Sequence, residues 1–590
     1  MPGRRSLLKA FAHTTVLVTL VAGALWLFVL PRDFRFDLPI IYGQGDSLFD
    51  AHQVQLILET GWYPWQTSRL GAPFDADEYD MPDALWVHFA VFKLIGLFSD
   101  DWVTAANVFA LSAFFLTALS SYGVLRWMQL EPGLAMLGAI LFAFLPYHFF
   151  RIVPLGHTFL AAYWNVPIAI GLALWSWRPN MTRLGPSTAA LLAGAIVVTA
   201  AGGIYYAFFA CFLLVLAGTA SAFGNRTWRA AVPAGACVLA ICLIVGIQLT
   251  PSVIYWSQNG QNPGAAQRLP SESELHGLKP IQLVLPQPAH RLEWARQKTW
   301  LYNWLSPMVY ENRSVALGAF ASIGLLVLMG AAVKRLVSPS GEASTLDRLA
   351  FLALAAVALG TVGGVGTMVA WTLTPLIRAY NRISVFIGFF SIAGLLLMVQ
   401  ALLRIARVSH PKPARIAGPA AVVVALGALW DQTTPFDQQH LRAAFESDRE
   451  FVQRVEAALP VGTAVYQLPY HPYPEANPVN EMGDYDLLRG YLHSRALRWS
   501  YGGMKGRPGD DWLKSLSMQP MQVQLDTAAA RGFGAVYVER RAYTDRGQSI
   551  EAELRTRLGP PLATDRAGNL VVYRLGTDAA TSRSAYQAGP

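Results

Sequence analysis

The sequence predicts an α-helical polytopic membrane protein with a C-terminal α/β soluble domain. Two observations carry this. Charged residues are only 14% of the 590-residue chain, against roughly 25% in an ordinary soluble domain. The apolar residues, 53% of the total, collect in blocks of about twenty, the length a bilayer-spanning helix needs. A soluble globular protein, a disordered chain and a fibrous repeat are excluded.

The elements follow in order. Met1–Leu30 starts with Arg4, Arg5 and Lys9 before an apolar run. Pro31-Arg32-Asp33 follows in place of a small-residue cleavage site, so this reads as an uncleaved first span. Further runs are 103–125, 133–150, 158–177, 230–251, 315–333, 349–371, 383–403 and 416–430. The uncharged block 187–223 has 37 residues. As one helix it would extend about 55 Å, too long for a hydrocarbon core of about 30 Å. Gly202-Gly203 supplies a break, which gives two spans there and eleven in all. The segment 83–98 is apolar but only 16 residues long and carries His88 and Lys93. It reads as an interfacial or re-entrant helix.

Odd parity places the N-terminus inside and the C-terminus outside. Arg126, Arg178, Arg183, Arg226, Arg229, Lys334, Arg335, Arg348, Arg404, Arg407, Lys412 and Arg415 then fall in inside loops, as the positive-inside rule requires. The formal net charge of +8 is explained this way and calls for no nucleic-acid partner. The predicted units are a membrane module over 1–430, with outward loops 31–82 and 252–313, and an outward α/β domain over 431–590. In the latter, 441–459 and 548–558 read as helices and 462–468, 534–539 and 570–575 as strands. Cys211, Cys237 and Cys242 all lie in apolar blocks, which leaves the polar segments without a cysteine metal site or disulfide.

No apolar span carries Asp or Glu. Ion- and proton-coupled transporters generally keep ionisable groups at mid-membrane depth, so the chemistry is expected at the outer surface. The first outward loop holds nine acidic and three basic residues. Asp46 follows Gly43 and Gly45 close to the first span; there a carboxylate could act as general base on an incoming hydroxyl, or belong to a solvated loop. Asp75, Asp77, Glu78 and Asp80 could orient a sugar, hold a divalent cation such as Mg or Mn, or simply be solvated. No metal ligand is assigned. Trp62, Tyr63 and Trp65 could stack on a sugar or anchor at the lipid interface.

Two more groups lie at the same surface. In "PYHFFRIVPLGH" the candidates are Tyr147, His148, Arg151 and His157. Arg151 departs from the positive-inside trend and could pair with a phosphate or snorkel to headgroups; the histidines could donate hydrogen bonds or cap helix ends. In "IRAYNRISVF", Arg378 and Arg382 share a helical face. Their guanidinium forks suit a lipid-linked phosphate, or headgroup anchoring. Tyr206, in "GGIYYAFF", is a further substrate-binding candidate.

A first span, a long outer loop with an early Asp, many spans and an outward soluble tail together resemble the GT-C superfamily of integral-membrane glycosyltransferases. "GDSLFDAHQ", "LGAPF", "GGIYYAFF", "RAYNRISVF", "LPYHPYPE" and "LRWSYGGMKGR" resemble a bacterial branch of YfhO-like membrane proteins. The resemblance implies a polyprenyl-phosphate sugar donor, a glycan or lipid acceptor, and a site on the periplasmic face of the inner membrane. The family's early-loop carboxylate falls on Asp46, its phosphate-binding basic residues on Arg378, Arg382 and Arg151, and its second acidic position on Asp77 or Glu78. "DAD" at 75–77 matches a metal-binding DxD only weakly, and no WWD motif of protein-glycosylating enzymes occurs. The rival classes are a lipid-linked glycan translocator and a polysaccharide polymerase or ligase.

Overall fold

The computed structural model describes residues 4–62, 66–177, 185–265, 267–339, 341–409 and 414–576. Tyr63, Trp65, Arg178, Arg183 and Lys412 lie outside the described residues.

All eleven apolar segments named above are helical. Among the described residues, seven helices are long and apolar enough to cross a membrane: Leu8–Phe28, Trp102–Trp127, Pro132–Ile152, Ile204–Asn225, Trp228–Asn259, Ala319–Val337 and Tyr380–Ala406. The protein is thus a multi-pass membrane protein. The remaining four expected spans are shorter or interrupted. Thr158–Ala161 is followed by Asn165–Ser176, Thr345–Gly360 by Val365–Thr372, and Pro186–Ala200 has 15 residues. Fifteen residues rise only about 22 Å. The fourth, Ala420–Gln432, is among the shorter apolar helices.

The long apolar block is divided at the expected place. One helix ends at Ala200 and the next begins at Ile204, with Gly203 at φ +112°, a conformation side chains avoid. Irregular backbone at this depth must be satisfied by protein. Gly203 N donates to Ala84 O at 2.9 Å, Val87 N to Ala201 O at 3.1 Å, and Asn165 Nδ2 to Gly202 O at 3.1 Å. The partner is the apolar stretch predicted as interfacial or re-entrant. It forms the helix Trp86–Gly96, which buries His88, Phe89 and Phe92.

Among the described residues the strands are β1 (Gln66–Thr67), β2 (Ala76–Asp77), β3 (Ala464–Leu468), β4 (Arg498–Trp499), β5 (Phe533–Glu539), β6 (Ala563–Thr564) and β7 (Leu570–Arg574). β1 and β2 pair antiparallel in the first loop. The other five form one mixed sheet of order β4-β3-β5-β7-β6, in which β3 is parallel to β4 and β5, and β7 antiparallel to β5 and β6. Helices Gln438–Ala458 and Gln548–Leu558 accompany it, within three residues of the expected bounds.

The first loop and the tail share a core. Helix Ser47–Thr60 puts Leu48, Val54 and Ile57 into one apolar cluster with Tyr473, Tyr491 and Trp499. Residues 69–72 run along the free edge of β4: Trp499 N donates to Arg69 O at 2.8 Å and Ala72 N to Trp499 O at 3.0 Å. A loop assigned by sequence to the membrane module thus extends the tail's sheet and covers its exposed edge.

Candidate functional site

The site is built on a close crossing of two loops. Gly43 and Gly45 both have positive φ, and Asp46 N donates to Leu155 O at 2.9 Å. A Cβ on Gly45 would stand 2.2 Å from Leu155 O, and one on Gly156 2.2 Å from Ser47 N. Only glycines permit this approach, and it brings residues 46 and 157 together. His157 Nε2 lies 2.9 Å from Asp46 Oδ2. The other ring nitrogen, Nδ1, lies 3.1 Å from Arg151 Nη1. A guanidinium only donates, so Nδ1 accepts and Nε2 carries the proton directed at Asp46. The Asp46 side chain is 46% exposed.

Behind this pair lies a buried charge cluster. Arg151, fully buried, donates through Nη1 to Glu311 and through Nη2 to Asn381 Oδ1 at 2.8 Å. Arg382 donates to Glu311 through Nε at 2.8 Å and Nη2 at 3.2 Å. His276 Nδ1 is 3.4 Å from Glu311 Oε2. Burial alone would raise the Glu311 carboxyl; the Arg151 and Arg382 guanidiniums override it and hold the group well below the usual range. Tyr147 lies under the Arg151 guanidinium, 4.6 Å from ring centre, and its hydroxyl is 3.1 Å from that of Tyr206. Tyr205 stacks on Arg382 at 4.3 Å. Nearby, burial pushes Asp83 up to about 6.

Arg378 belongs to a second, wetter group. It pairs with Glu272, and its Nη2 is 3.5 Å from Glu475 of the tail domain. Arg268 binds the same Glu475 bidentately at 2.6 and 2.8 Å, and Lys505 Nζ donates to Glu475 O at 3.1 Å. The tail also brings Asp484 into the field of Asp46. Burial, then the charges of Asp46, Asp486 and Glu475, push its carboxyl up to about 7.

Asp46, His157, Arg151 and Arg382 therefore form one connected run, and Tyr206 joins it through Tyr147. Arg378 sits in the adjoining group. Three candidates lie elsewhere. His148 is buried and stacks on Phe114 with ring centres 3.7 Å apart. Asp77 accepts from Tyr255 at 3.1 Å. Glu78 accepts from Tyr473 at 2.6 Å, with His52 at 3.3 Å. Asp80 is bound by Arg507 through both oxygens at 2.7 Å. The acidic stretch thus ties the loop to the tail and to helix Trp228–Asn259. A guanidinium already sits on its most buried member, a poor fit to a divalent cation. Among the described residues, no group of three or more His, Cys, Asp or Glu is arranged to hold a metal.

Sequence reasoning missed Glu311, His276, Arg268, Glu475 and Asp484. Glu311 had one signal: it is the last carboxylate before an apolar run otherwise devoid of acids.

No protein-family profile matches the chain, and no curated protein matches it. Several solved structures are similar. The oligosaccharyltransferase AglB from Archaeoglobus fulgidus, in complex with an inhibitory peptide and a dolichol-phosphate, is 13% identical; the match covers 90% of this chain and 70% of that one, with TM-score 0.44. ArnT from Cupriavidus metallidurans bound to undecaprenyl phosphate is 12% identical, over 98% and 99% of the two chains, with TM-score 0.41. The arabinofuranosyltransferase AftD from Mycobacteria is 14% identical, over 95% and 40%, with TM-score 0.44.

Proposed function

We propose that the protein is a membrane glycosyltransferase of the GT-C type. It moves a sugar from a polyprenyl-phosphate-linked donor to a glycan or lipid acceptor on the periplasmic face of the inner membrane. The observation that carries this reading is an exposed carboxylate, Asp46, held by His157 beside arginines from distant loops.

Each residue has a task in the reaction. The donor enters from the bilayer and its phosphate is neutralised by Arg378 and Arg268, whose forks suit phosphate oxygens. Arg151 and Arg382, saturated by Glu311, fix the walls. The acceptor hydroxyl loses its proton to Asp46 as its oxygen attacks the anomeric carbon. The bond between that carbon and the phosphate oxygen breaks, and polyprenyl phosphate leaves with its charge held by the arginines. His157 keeps Asp46 oriented by donating from Nε2.

The test uses purified protein in liposomes carrying a polyprenyl-phosphate-linked radiolabelled sugar, with a membrane glycan extract as acceptor. Wild type releases polyprenyl phosphate and labels the acceptor. Asp46→Asn binds the donor but does neither. Passage of the intact donor across the liposome without cleavage, unaffected by Asp46→Asn, would instead make the protein a translocator.

A further inference from the structure

The helix Glu293–Leu305 has no task in the reaction above, and much of its apolar surface is exposed. Its buried side is narrow: Ala295 and Thr299 face the protein. Trp294, Trp300 and Trp304 are 63%, 60% and 73% exposed, and Leu301 and Leu305 are exposed beside them. Trp300 and Trp304 stack at 5.7 Å, one turn apart. The polar residues Arg296, Gln297 and Lys298 belong to the first half of the helix, so the second half is the more apolar.

The position of the helix identifies what covers it. Arg291, just ahead of it, donates to Phe28 O at 3.0 Å, the last residue of a span. His290 lies 3.0 Å from Asp431 at the end of helix Ala414–Gln432. That same Asp431 caps Ala319 N at 2.8 Å, where another span begins. Behind the helix, Gln282 Nε2 reaches Asn303 Oδ1 at 3.4 Å and Lys279 Nζ reaches Ser306 Oγ at 2.6 Å. The residues leading into the helix are therefore tied to the ends of two helices long enough to cross a membrane and of the shorter apolar helix that ends at Gln432, level with the plane where hydrocarbon gives way to headgroups. Tryptophan concentrates at that plane, with its ring in the acyl boundary and its N–H among the headgroups. Three basic residues against one acidic over 291–298 suit an anionic headgroup layer.

We infer that Glu293–Leu305 is an interfacial helix that lies on the bilayer surface with Trp300, Trp304, Leu301 and Leu305 among phospholipid headgroups and upper acyl chains. The inference needs only the membrane spans and is independent of the transferase reading. Residues 306–310 connect this helix to Glu311.

The test uses the full chain with Cys211, Cys237 and Cys242 replaced by Ser, a nitroxide on Trp304→Cys, Trp300→Cys or Lys298→Cys, and liposomes of phosphatidylcholine and phosphatidylglycerol. Power-saturation spectroscopy compares access of oxygen, which enters lipid, with that of a water-soluble nickel chelate. Positions 300 and 304 favour oxygen, at a depth of about 5–10 Å typical of interfacial helices, and position 298 favours nickel. Nickel access at 300 and 304 equal to that at 298 overturns the inference. Exclusion of both reagents that disappears when protein is diluted in lipid also overturns it, by making the occupant a second copy.

Discussion

Replacing Glu311 should damage the protein more than replacing any other charged residue of the site, and the structure gives the size of the effect. Glu311 accepts hydrogen bonds from two guanidiniums, and its side chain is 5% exposed; those of Arg151 and Arg382 are 0% and 15% exposed. Alanine there removes one partner of a buried pair and leaves two arginines without a counter-charge. Such a loss costs about 3–5 kcal/mol. Glu272 provides the control. It pairs with Arg378, but both side chains are more than one-fifth exposed, and pairs of that kind are worth about 1 kcal/mol or less. The assay is chemical unfolding in mixed micelles, with helix content and donor binding read in parallel. Glu311→Ala should lose several times more stability than Glu272→Ala, with Glu311→Gln between them because it keeps an acceptor oxygen. Adding Arg382→Gln to Glu311→Gln should recover part of the loss, since it removes one stranded charge. Equal tolerance of Glu311→Ala and Glu272→Ala would refute the buried-cluster argument.

Other outcomes follow from the same geometry. Asp46→Asn should cut transfer by about 10²–10⁴-fold, the usual worth of a general base, with little loss of stability because the Asp46 side chain is nearly half exposed; turnover and unfolding measured on one preparation check this. Gly45→Ala must accommodate a Cβ at φ +52° and 2.2 Å from Leu155 O, so the turn shifts and Asp46 with it; activity should fall about 100-fold, as for an ångström-scale misplacement, in a protein that still elutes as one species. Asp484 titrates near 7: below that pH it is neutral, and above it adds a negative charge beside Asp46 and Glu475. The KM for an anionic donor should therefore rise as pH increases from 6 to 8, and Asp484→Asn should flatten that rise, which steady-state kinetics across the range will show.

The parts legible in the sequence were those written in local pattern. Apolar blocks marked the helices, and Gly202-Gly203 marked the division of the longest one because no single helix of that length fits a bilayer. Arg151 drew notice as a basic residue on the wrong side of the charge bias, and Asp46 as an acid following two turn glycines. The partners that explain them were not local. Glu311 lies 160 residues from Arg151 and 71 from Arg382, and nothing in its neighbourhood announces either. Asp77 and Glu78 show the opposite problem. Their clustering suggested a ligand site, but Tyr255 of helix Trp228–Asn259 and Tyr473 of the tail, 178 and 395 residues away, donate to them and tie the loop to those elements. Span length was the other obstacle. Segments such as 187–200 are apolar enough to cross, yet their helices are short or broken where other chain segments fill the gap.

The two arginine groups also differ in how they can meet a phosphate, and that difference yields a test. Arg151 and Arg382 are locked by a buried carboxylate whose removal is costly. Arg378 and Arg268 instead share Glu475, a residue of the tail domain on a positive-φ turn, with side chains 27%, 15% and 29% exposed. In the proposed reaction the donor phosphate binds Arg378 and Arg268, where the Glu475 carboxylate sits, so phosphate binding would displace it. Glu475→Gln removes the competing charge and leaves both guanidiniums. If the displaced contact is worth about 1 kcal/mol, as partly exposed pairs are, undecaprenyl phosphate should bind about fivefold more tightly to this variant. Arg268→Ala and Arg378→Ala should each weaken binding. Binding is measured by titrating undecaprenyl phosphate into nanodisc-embedded protein. Weaker binding in Glu475→Gln would mean that Glu475 holds the arginines in place for the phosphate, and the donor site would then have to be sought at Arg151 and Arg382.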